Sequence, residues 1–138
     1  MKNEEQLQQK VLQFQMLQQQ LEQVNQHLEM LTQQAAELDI SINAVKEIGQ
    51  TKLNNEILAP LAGGIFLKAE LKENQKLIVN VGSGVTVEKT IPQVVELLQH
   101  QQVDISQKII EADSVLQQLS SQAMKIYQEV QGSQEGEN

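Results

Sequence analysis

The sequence predicts an α+β chain in which a long antiparallel two-helix coiled coil encloses a short β segment. Apolar residues recur at the a and d positions of heptads at both ends of the chain, and they alternate with polar residues between them. Aromatic residues make up 2% of the 138 residues and Trp is absent, so the chain has little bulk with which to fill a globular core. Its apolar residues, 40% of the total, must therefore be covered along a helical seam or against other chains.

The N-terminal heptads predict a helix over residues 5–48. Apolar residues occupy one heptad position and the position three residues later, and Lys10 is the polar exception. Gly49 falls on the next a position and is expected to end the helix as a left-handed cap. The two series are Leu7, Phe14, Leu21, Leu28, Ala35 and Ile42, and Leu17, Val24, Leu31, Leu38 and Val45.

The same period returns near the C-terminus and predicts a second helix over residues 91–131, with Gln102 as its polar exception. Thr90-Ile91-Pro92-Gln93 has the form of a capping box with Pro in the first turn, where a missing amide donor is harmless. Residues 132–138 are expected to form a flexible tail. The two series are Val95, Ile109, Leu116, Ala123 and Val130, and Leu98, Ile105, Ala112, Leu119 and Ile126.

The two predicted helices have similar lengths, about 40 residues or ~60 Å each. Because they are tethered, one antiparallel hairpin is the economical arrangement, and residues 1–138 are expected to form a single domain. Both termini then lie at one end of the coiled coil, and the 50–90 segment lies at the other.

The 50–90 segment is expected to contain strands and to mediate oligomerisation. Turns are expected at Lys72–Gln75 and Gly82–Gly84, with a shorter possible strand at Glu56–Leu58. So small a sheet cannot cover its own edges and apolar face, so strands from several chains are expected to join in an oligomeric β-barrel. The alternative is a sheet that folds back onto its own coiled coil. The expected interface residues are Ile65, Phe66, Leu67, Leu77, Ile78, Val79, Val85 and Val87.

Composition argues against several classes of function. A net charge of −8 with no Arg disfavours nucleic acid as a partner, and the absence of Cys removes disulfides and thiolate metal sites. The N-terminus lacks the apolar stretch of a signal peptide, and no run approaches the ~20 apolar residues of a membrane span, so a cytoplasmic protein without a membrane partner is expected. His27 and His100 stand apart from other metal ligands, and no nucleophile–base pair is evident. We therefore expect no catalytic, cofactor or metal site, and no enzyme.

Two motifs between the helices resemble those of a known family. Pro-Leu-Ala-Gly-Gly at 60–64 and Val-Gly-Ser-Gly-Val-Thr-Val-Glu-Lys at 81–89, flanked by heptad helices, are similar to the alpha class of the prefoldin family. The resemblance covers nearly the whole chain. It implies two β-hairpins between the helices and an assembly of two alpha with four beta subunits, whose hairpins join in a double β-barrel. It also implies an ATP-independent chaperone that grips non-native proteins between coiled-coil tips and delivers them to a group II chaperonin.

Apolar residues near the chain ends are the expected client-binding site. Several lie outside the seam, and Lys10 interrupts the seam beside them, so this end should open more readily than the middle. These residues, called the tip group here, are Val11, Leu12, Phe14, Met16, Met124, Ile126, Tyr127 and Val130. Similar off-seam residues occur elsewhere, so ordinary surface exposure is the alternative for the tip group. A non-chaperone coiled-coil adapter or tether, oligomerising through its β segment, is the alternative function.

Overall fold

A computed structural model describes the backbone of residues 2–135 and the side chains of residues 3–132. It contains two long helices separated by four strands, which confirms the α+β prediction. The elements are α1 (Lys2–Gln50), β1 (Glu56–Ala62), β2 (Ile65–Glu70), β3 (Lys76–Gly82), β4 (Val85–Thr90) and α2 (Ile91–Glu135). They are divided between two compact units. The helix-end unit contains α1 up to Gln34 and α2 from Ile105, and the hairpin unit is Ala35–Asp104.

Burial along both helices follows the predicted heptads. Every seam residue of the two series is buried or half-buried, whereas most of the residues between them are exposed. Leu31 and Ala123 are the most buried side chains of the helix-end unit, and Ile42 and Val94 are the most buried of the hairpin unit. Val94 belongs to neither predicted series, so the start of α2 buries a wider stripe than a strict heptad seam.

The helices run antiparallel within each unit. In the helix-end unit, Phe14 contacts Tyr127 and Lys10 contacts Glu129. The residue number of the partner on α2 therefore rises as the residue number on α1 falls. In the hairpin unit the amide of Gln102 donates to Oδ1 of Asp39 at 3.5 Å. Gln102, the polar exception in the second seam, therefore has a polar partner.

The start of α2 has the predicted capping box. The backbone N–H of Thr90 donates to Oε1 of Gln93 at 3.0 Å, and the backbone N–H of Gln93 donates to Oγ1 of Thr90 at 3.3 Å. Two donors that the first helical turn would otherwise leave unpaired are thus satisfied reciprocally.

Gly49 does not end α1 as a left-handed cap, because the helix continues through it to Gln50. A Cβ atom added at Gly49 would lie 3.2 Å from Cγ2 of Ile91. The start of α2 therefore comes so close to α1 here that there is little room for a side chain. The helix is closed by Thr51, whose hydroxyl donates to the carbonyl of Glu47 at 2.8 Å. A left-handed conformation occurs further along, at Asn54, which has a φ of 69°.

The second helix is longer than its heptads suggest. It continues to Glu135, whereas the sequence predicts a flexible tail from residue 132. Gln and Glu favour helix strongly enough that one Gly, Gly132, does not interrupt it. Residues 136–138 of the expected tail lie outside the described residues.

The strands form two separate antiparallel hairpins, β1–β2 and β3–β4. The 72–75 segment is therefore not a hairpin turn, since β2 and β3 do not pair. It connects the hairpins at their bases, where the N–H of Leu71 donates to the carbonyl of Asn55 at 3.0 Å and the N–H of Ile91 donates to the carbonyl of Gln75 at 3.0 Å. In addition β1 extends through Pro60 to Ala62, beyond the short strand predicted at 56–58.

The tight turns of both hairpins use left-handed backbone conformations. In the β3–β4 turn, Ser83 has a φ of 52° and Gly84 a φ of 74°, the pair of positive angles that matches the twist of two antiparallel strands. The β1–β2 turn contains Gly63 and Gly64, and Gly64 has a φ of 77°. The predicted turn at 82–84 is confirmed.

Candidate binding surfaces

The helix-end unit contains all eight residues of the tip group. The five members outside the seam are between 40% and 59% exposed, and the three seam members are half-buried. The exposed members are Val11, Leu12, Met16, Met124 and Tyr127, and the half-buried ones are Phe14, Ile126 and Val130. The side chains that the heptads place outside the seam are thus the more exposed members of the tip group.

Two aromatic rings join the helices within the tip group. The ring centroids of Phe14 and Tyr127 are 5.9 Å apart, with an interplanar angle of 37°. The hydroxyl of Tyr127 accepts a hydrogen bond of 2.8 Å from the amide of Gln131. Because its ring packs on α1 and its hydroxyl has a partner, Tyr127 has a defined position while remaining about half exposed.

An open groove of about 440 Å³ lies between the helices beside this aromatic pair. Met16 forms part of its wall, and the seam residues Leu17 and Ile126 also line it. The other lining residues are Gln13, Gln20, Gln122, Lys125 and Glu129. The groove offers apolar contacts within a polar rim, an arrangement suited to reversible contact with apolar segments.

Lys10 occupies a seam position at this end of the coiled coil. Its ammonium lies 3.4 Å from a carboxylate oxygen of Glu129, and the two side chains are 36% and 42% exposed. The aliphatic part of Lys10 lies in the seam while its charged group reaches a partner near solvent. An ion pair this exposed is screened by water, so it contributes little to stability compared with an apolar seam residue.

Exposure alone does not distinguish the tip group from other surface residues. Side chains elsewhere on the helices are equally exposed, namely Met30, Ile40, Val103, Ile110 and Val115. What distinguishes the tip group is its density: three exposed apolar residues fall within residues 11–16, beside an interhelical aromatic pair and a groove. An apolar cluster of this kind is more typical of a binding surface than scattered single residues are.

The hairpins carry the second candidate surface. Of the eight predicted interface residues, six are between 36% and 74% exposed, with Ile78 the most exposed, and Leu77 and Val79 are half-buried. Sequence reasoning missed Leu58 and Leu61, each 63% exposed. Both lie on β1, which Pro60 makes difficult to recognise because Pro is rare inside strands. The Gly63-Gly64 pair between two apolar stretches was the signal that could have indicated a hairpin turn here and so extended this strand through Pro60.

The first hairpin is apolar on both faces near its turn. One face pairs Pro60 with Phe66, and the other pairs Ala59 with Leu67. Charged residues occur towards its base, where Glu56 faces Glu70. Near its turn, this hairpin therefore has no polar face.

The second hairpin has one apolar face, where Val79 pairs with Val87, and a more polar face, where Asn80 pairs with Thr86 and Ile78 with Glu88. Within the described residues each strand hydrogen-bonds to a single neighbour, so both hairpins present open edges. Open edges combined with exposed apolar faces favour pairing with strands of other chains.

The described residues contain no group of three or more His, Asp or Glu side chains that could hold a metal ion. His100 lies 3.9 Å from Glu96 of the same helix, and both side chains are about three-quarters exposed. Among the described helices, none combines the length and apolar character needed to cross a membrane.

Comparison with known proteins places these features in a family context. The family model described as prefoldin subunit matches residues 17–136. Prefoldin subunit alpha of Archaeoglobus fulgidus is 29% identical over 137 residues, covering 99% of this chain and 100% of that relative. Prefoldin subunit alpha of Pyrococcus horikoshii is 28% identical over 136 residues, covering 96% of this chain and 90% of that relative.

A solved structure is also similar. The cryo-EM structure of filamentous PFD from Methanocaldococcus jannaschii superposes with a TM-score of 0.74, covering 83% of this chain and 95% of that chain. The sequences of that pair are 14% identical, so the similarity concerns the fold: two long helices with hairpins between them.

Proposed function

The chain belongs to the prefoldin family, and from that premise we propose that it captures non-native proteins through its tip group and delivers them to a group II chaperonin without using ATP. The observation that supports this proposal most directly is the cluster of exposed apolar side chains from both helices around the Phe14–Tyr127 contact. Non-native proteins expose apolar segments, which such a cluster can bind without requiring a defined sequence. Met16 and Met124 suit varied clients because their unbranched side chains adapt to irregular surfaces.

The assembly that we propose joins two copies of this chain with four beta subunits through the hairpins. The exposed apolar faces and open edges of β1–β4 support this part of the proposal. Strands from neighbouring subunits would satisfy both by forming a β-barrel, since barrel closure removes edges altogether. The helix ends would remain free for clients, in a cytoplasmic complex that does not bind nucleic acid.

Weak contacts at each tip explain how release could proceed without nucleotide hydrolysis. Burying about 200 to 400 Å² of apolar surface at one tip contributes ~5 to 10 kcal/mol before the entropy of association is subtracted. One tip therefore binds weakly, and several tips acting on one client supply avidity while each contact stays reversible. A chaperonin can then remove the client one contact at a time.

The test compares two sets of matched substitutions on the helix-end unit. The tip variant carries Leu12→Ser, Met16→Ser and Met124→Ser, and the control variant carries Met30→Ser, Ile110→Ser and Val115→Ser at similarly exposed positions. Each is assembled with beta subunits, and light scattering follows aggregation of a chemically unfolded protein. We expect the tip variant to lose protection and the control to retain it. Equal protection by both variants would contradict the role of the tip group.

The adapter alternative predicts a different pattern. An adapter would not suppress aggregation of unrelated unfolded proteins, even in its unmodified form.

A transfer assay tests delivery to the chaperonin. A labelled unfolded protein, bound first to the assembled complex, is mixed with a group II chaperonin. Movement of the label to the chaperonin without added ATP supports delivery, and retention on the complex argues against it.

A further inference from the structure

Among the described residues of the helix-end unit, three methionines are exposed, and two of them belong to the tip group. Met16 is 55% exposed and Met124 is 59% exposed, while Met30, outside the tip group, is 52% exposed. The chain has no Cys, so thioether sulfur is its only oxidisable sulfur. Exposed thioethers are the ones that peroxides reach.

The surroundings of the two tip methionines are open on one side and polar at the rim. Met16 lines the interhelical groove together with Lys125, and Met124 lines a shallow hollow that also includes Lys125. Gln side chains border both sites, Gln13 the first and Gln128 the second. These neighbours are hydrogen-bond donors, so a polar oxygen added to either sulfur would find partners instead of an apolar wall.

Neither methionine is part of the seam that holds the helices together. Both lie outside the two heptad series, so a change of polarity at either sulfur leaves the buried residues of the unit in place. Oxidation would therefore alter the binding surface without unfolding the helices. Leu12 and Val11, the aliphatic members of the exposed group, offer no comparable chemistry.

We propose that Met16 and Met124 are reversible oxidation sites through which a hydroperoxide lowers the client affinity of the tip group. The inference rests on the proposed capture of clients by the tip group. The sulfur lone pair attacks the terminal oxygen of the hydroperoxide, the O–O bond breaks and an S=O bond forms. The other oxygen takes up the proton of the transferred oxygen and leaves as an alcohol, or as water when the oxidant is hydrogen peroxide. Sulfur is oxidised by two electrons and the peroxide is reduced by two. The resulting sulfoxide is polar, and methionine sulfoxide reductases restore the thioether.

The experiment uses the full chain assembled with beta subunits. Complexes are treated with hydrogen peroxide, the peroxide is removed with catalase, and a chemically unfolded protein is then added. Peptide mass spectrometry measures sulfoxide at each methionine, circular dichroism measures helix content, and titration of labelled client measures affinity. Three complexes are compared: unmodified, Met16→Leu with Met124→Leu, and Met30→Leu. Leu keeps the surface apolar but cannot form a sulfoxide.

We expect peroxide to weaken client binding by the unmodified complex roughly tenfold, with unchanged helix content and recovery after reductase treatment. The Met30→Leu complex should remain as sensitive as the unmodified one. The double Leu complex should bind the client in both states, because its two tip positions can no longer form a sulfoxide. Equal loss of binding in the double Leu complex would overturn the proposal, as would full oxidation of both methionines without loss of binding. Client binding before peroxide is added tests the proposed function separately.

Discussion

The ammonium of Lys10 lies 3.4 Å from the carboxylate of Glu129 across the two helices, at the one position where the α1 seam carries a charge. The neighbouring seam residues, Leu7 and Phe14, are apolar and half-buried. Because Lys10 interrupts the apolar residues, the seam is weaker in the first turns of α1 than a continuous apolar stripe would be. This weakness is local, since the next seam residues towards the middle are apolar.

Replacing this seam charge should strengthen the helix-end unit. We expect Lys10→Leu to raise the free energy of unfolding by about 1 kcal/mol, because a half-buried Leu replaces an exposed ion pair. Amide hydrogen exchange should slow in α1 before Phe14. The control is Glu129→Gln, which removes the ion pair but leaves the Lys10 stem in the seam. A loss of stability in Lys10→Leu would mean that the ion pair contributes more than its exposure allows.

The capping box at the start of α2 can be tested by a double-mutant cycle. We expect Thr90→Ala to lower the free energy of unfolding by ~1 kcal/mol, since a backbone donor of the first turn loses its partner. Thr90→Ser keeps the hydroxyl and should be close to neutral. Chemical denaturation at a fixed protomer concentration measures both. Strict additivity of Thr90→Ala and Gln93→Ala would show that the two hydrogen bonds act independently, against the reciprocal geometry.

Gly49 and Gly132 are both helical glycines, but they differ in the space around them. A Cβ at Gly49 would lie 3.2 Å from Ile91, whereas nothing lies within 4 Å of a Cβ at Gly132. Gly49→Leu should therefore lower stability by about 1 to 3 kcal/mol through overpacking. Gly132→Leu should leave stability unchanged or raise it by up to ~1 kcal/mol, since Leu is the better helix former. Thermal unfolding distinguishes them, and equal effects would show that the approach to Ile91 does not constrain the chain.

Charge placed on the hairpins should prevent assembly without unfolding the chain. Phe66 is 56% exposed and Ile78 is 74% exposed, so Phe66→Asp and Ile78→Asp should leave helix content intact. A carboxylate buried without a partner at a subunit interface is strongly unfavourable, so the variants should fail to enter the complex. Native mass spectrometry measures the assembled mass, with Lys68→Gln as a control on the first hairpin, which also carries Phe66. Normal assembly of both Asp variants would exclude these faces from the interface.

The helices were predictable because a long apolar repeat leaves few alternatives. Seam residues such as Leu31 and Ile42 recur with a period that only paired helices bury, and the structure buries them. The ends of the helices were less predictable, since local residue preferences do not register tertiary contacts. Gly is a common residue at helix ends, but at position 49 the proximity of Ile91 explains the need for a small residue equally well.

The β segment was predictable in kind but not in pairing. Period-two alternation indicated strands, but it does not state which strand pairs with which. The predicted turn at 72–75 is wrong because a first strand that ends at Leu58 is too short to pair along β2, so β2 was paired with β3 instead. Once β1 continues through Pro60, Gly63–Gly64 becomes the turn of the first hairpin. The exposure of the off-seam tip residues was predictable from heptad position, but the Phe14–Tyr127 contact was not, because the heptads place Tyr127 outside the seam.

The exposed apolar side chains of the two hairpins also bear on how much of this protein a cell can tolerate. A copy that finds no partner displays Leu58, Phe66 and Ile78 to the surrounding solution. Such surfaces are those by which quality control identifies damaged chains. If the hairpins join other subunits as proposed, this chain made in excess of its partners is expected to aggregate or be degraded, and matched expression of the subunits would prevent this.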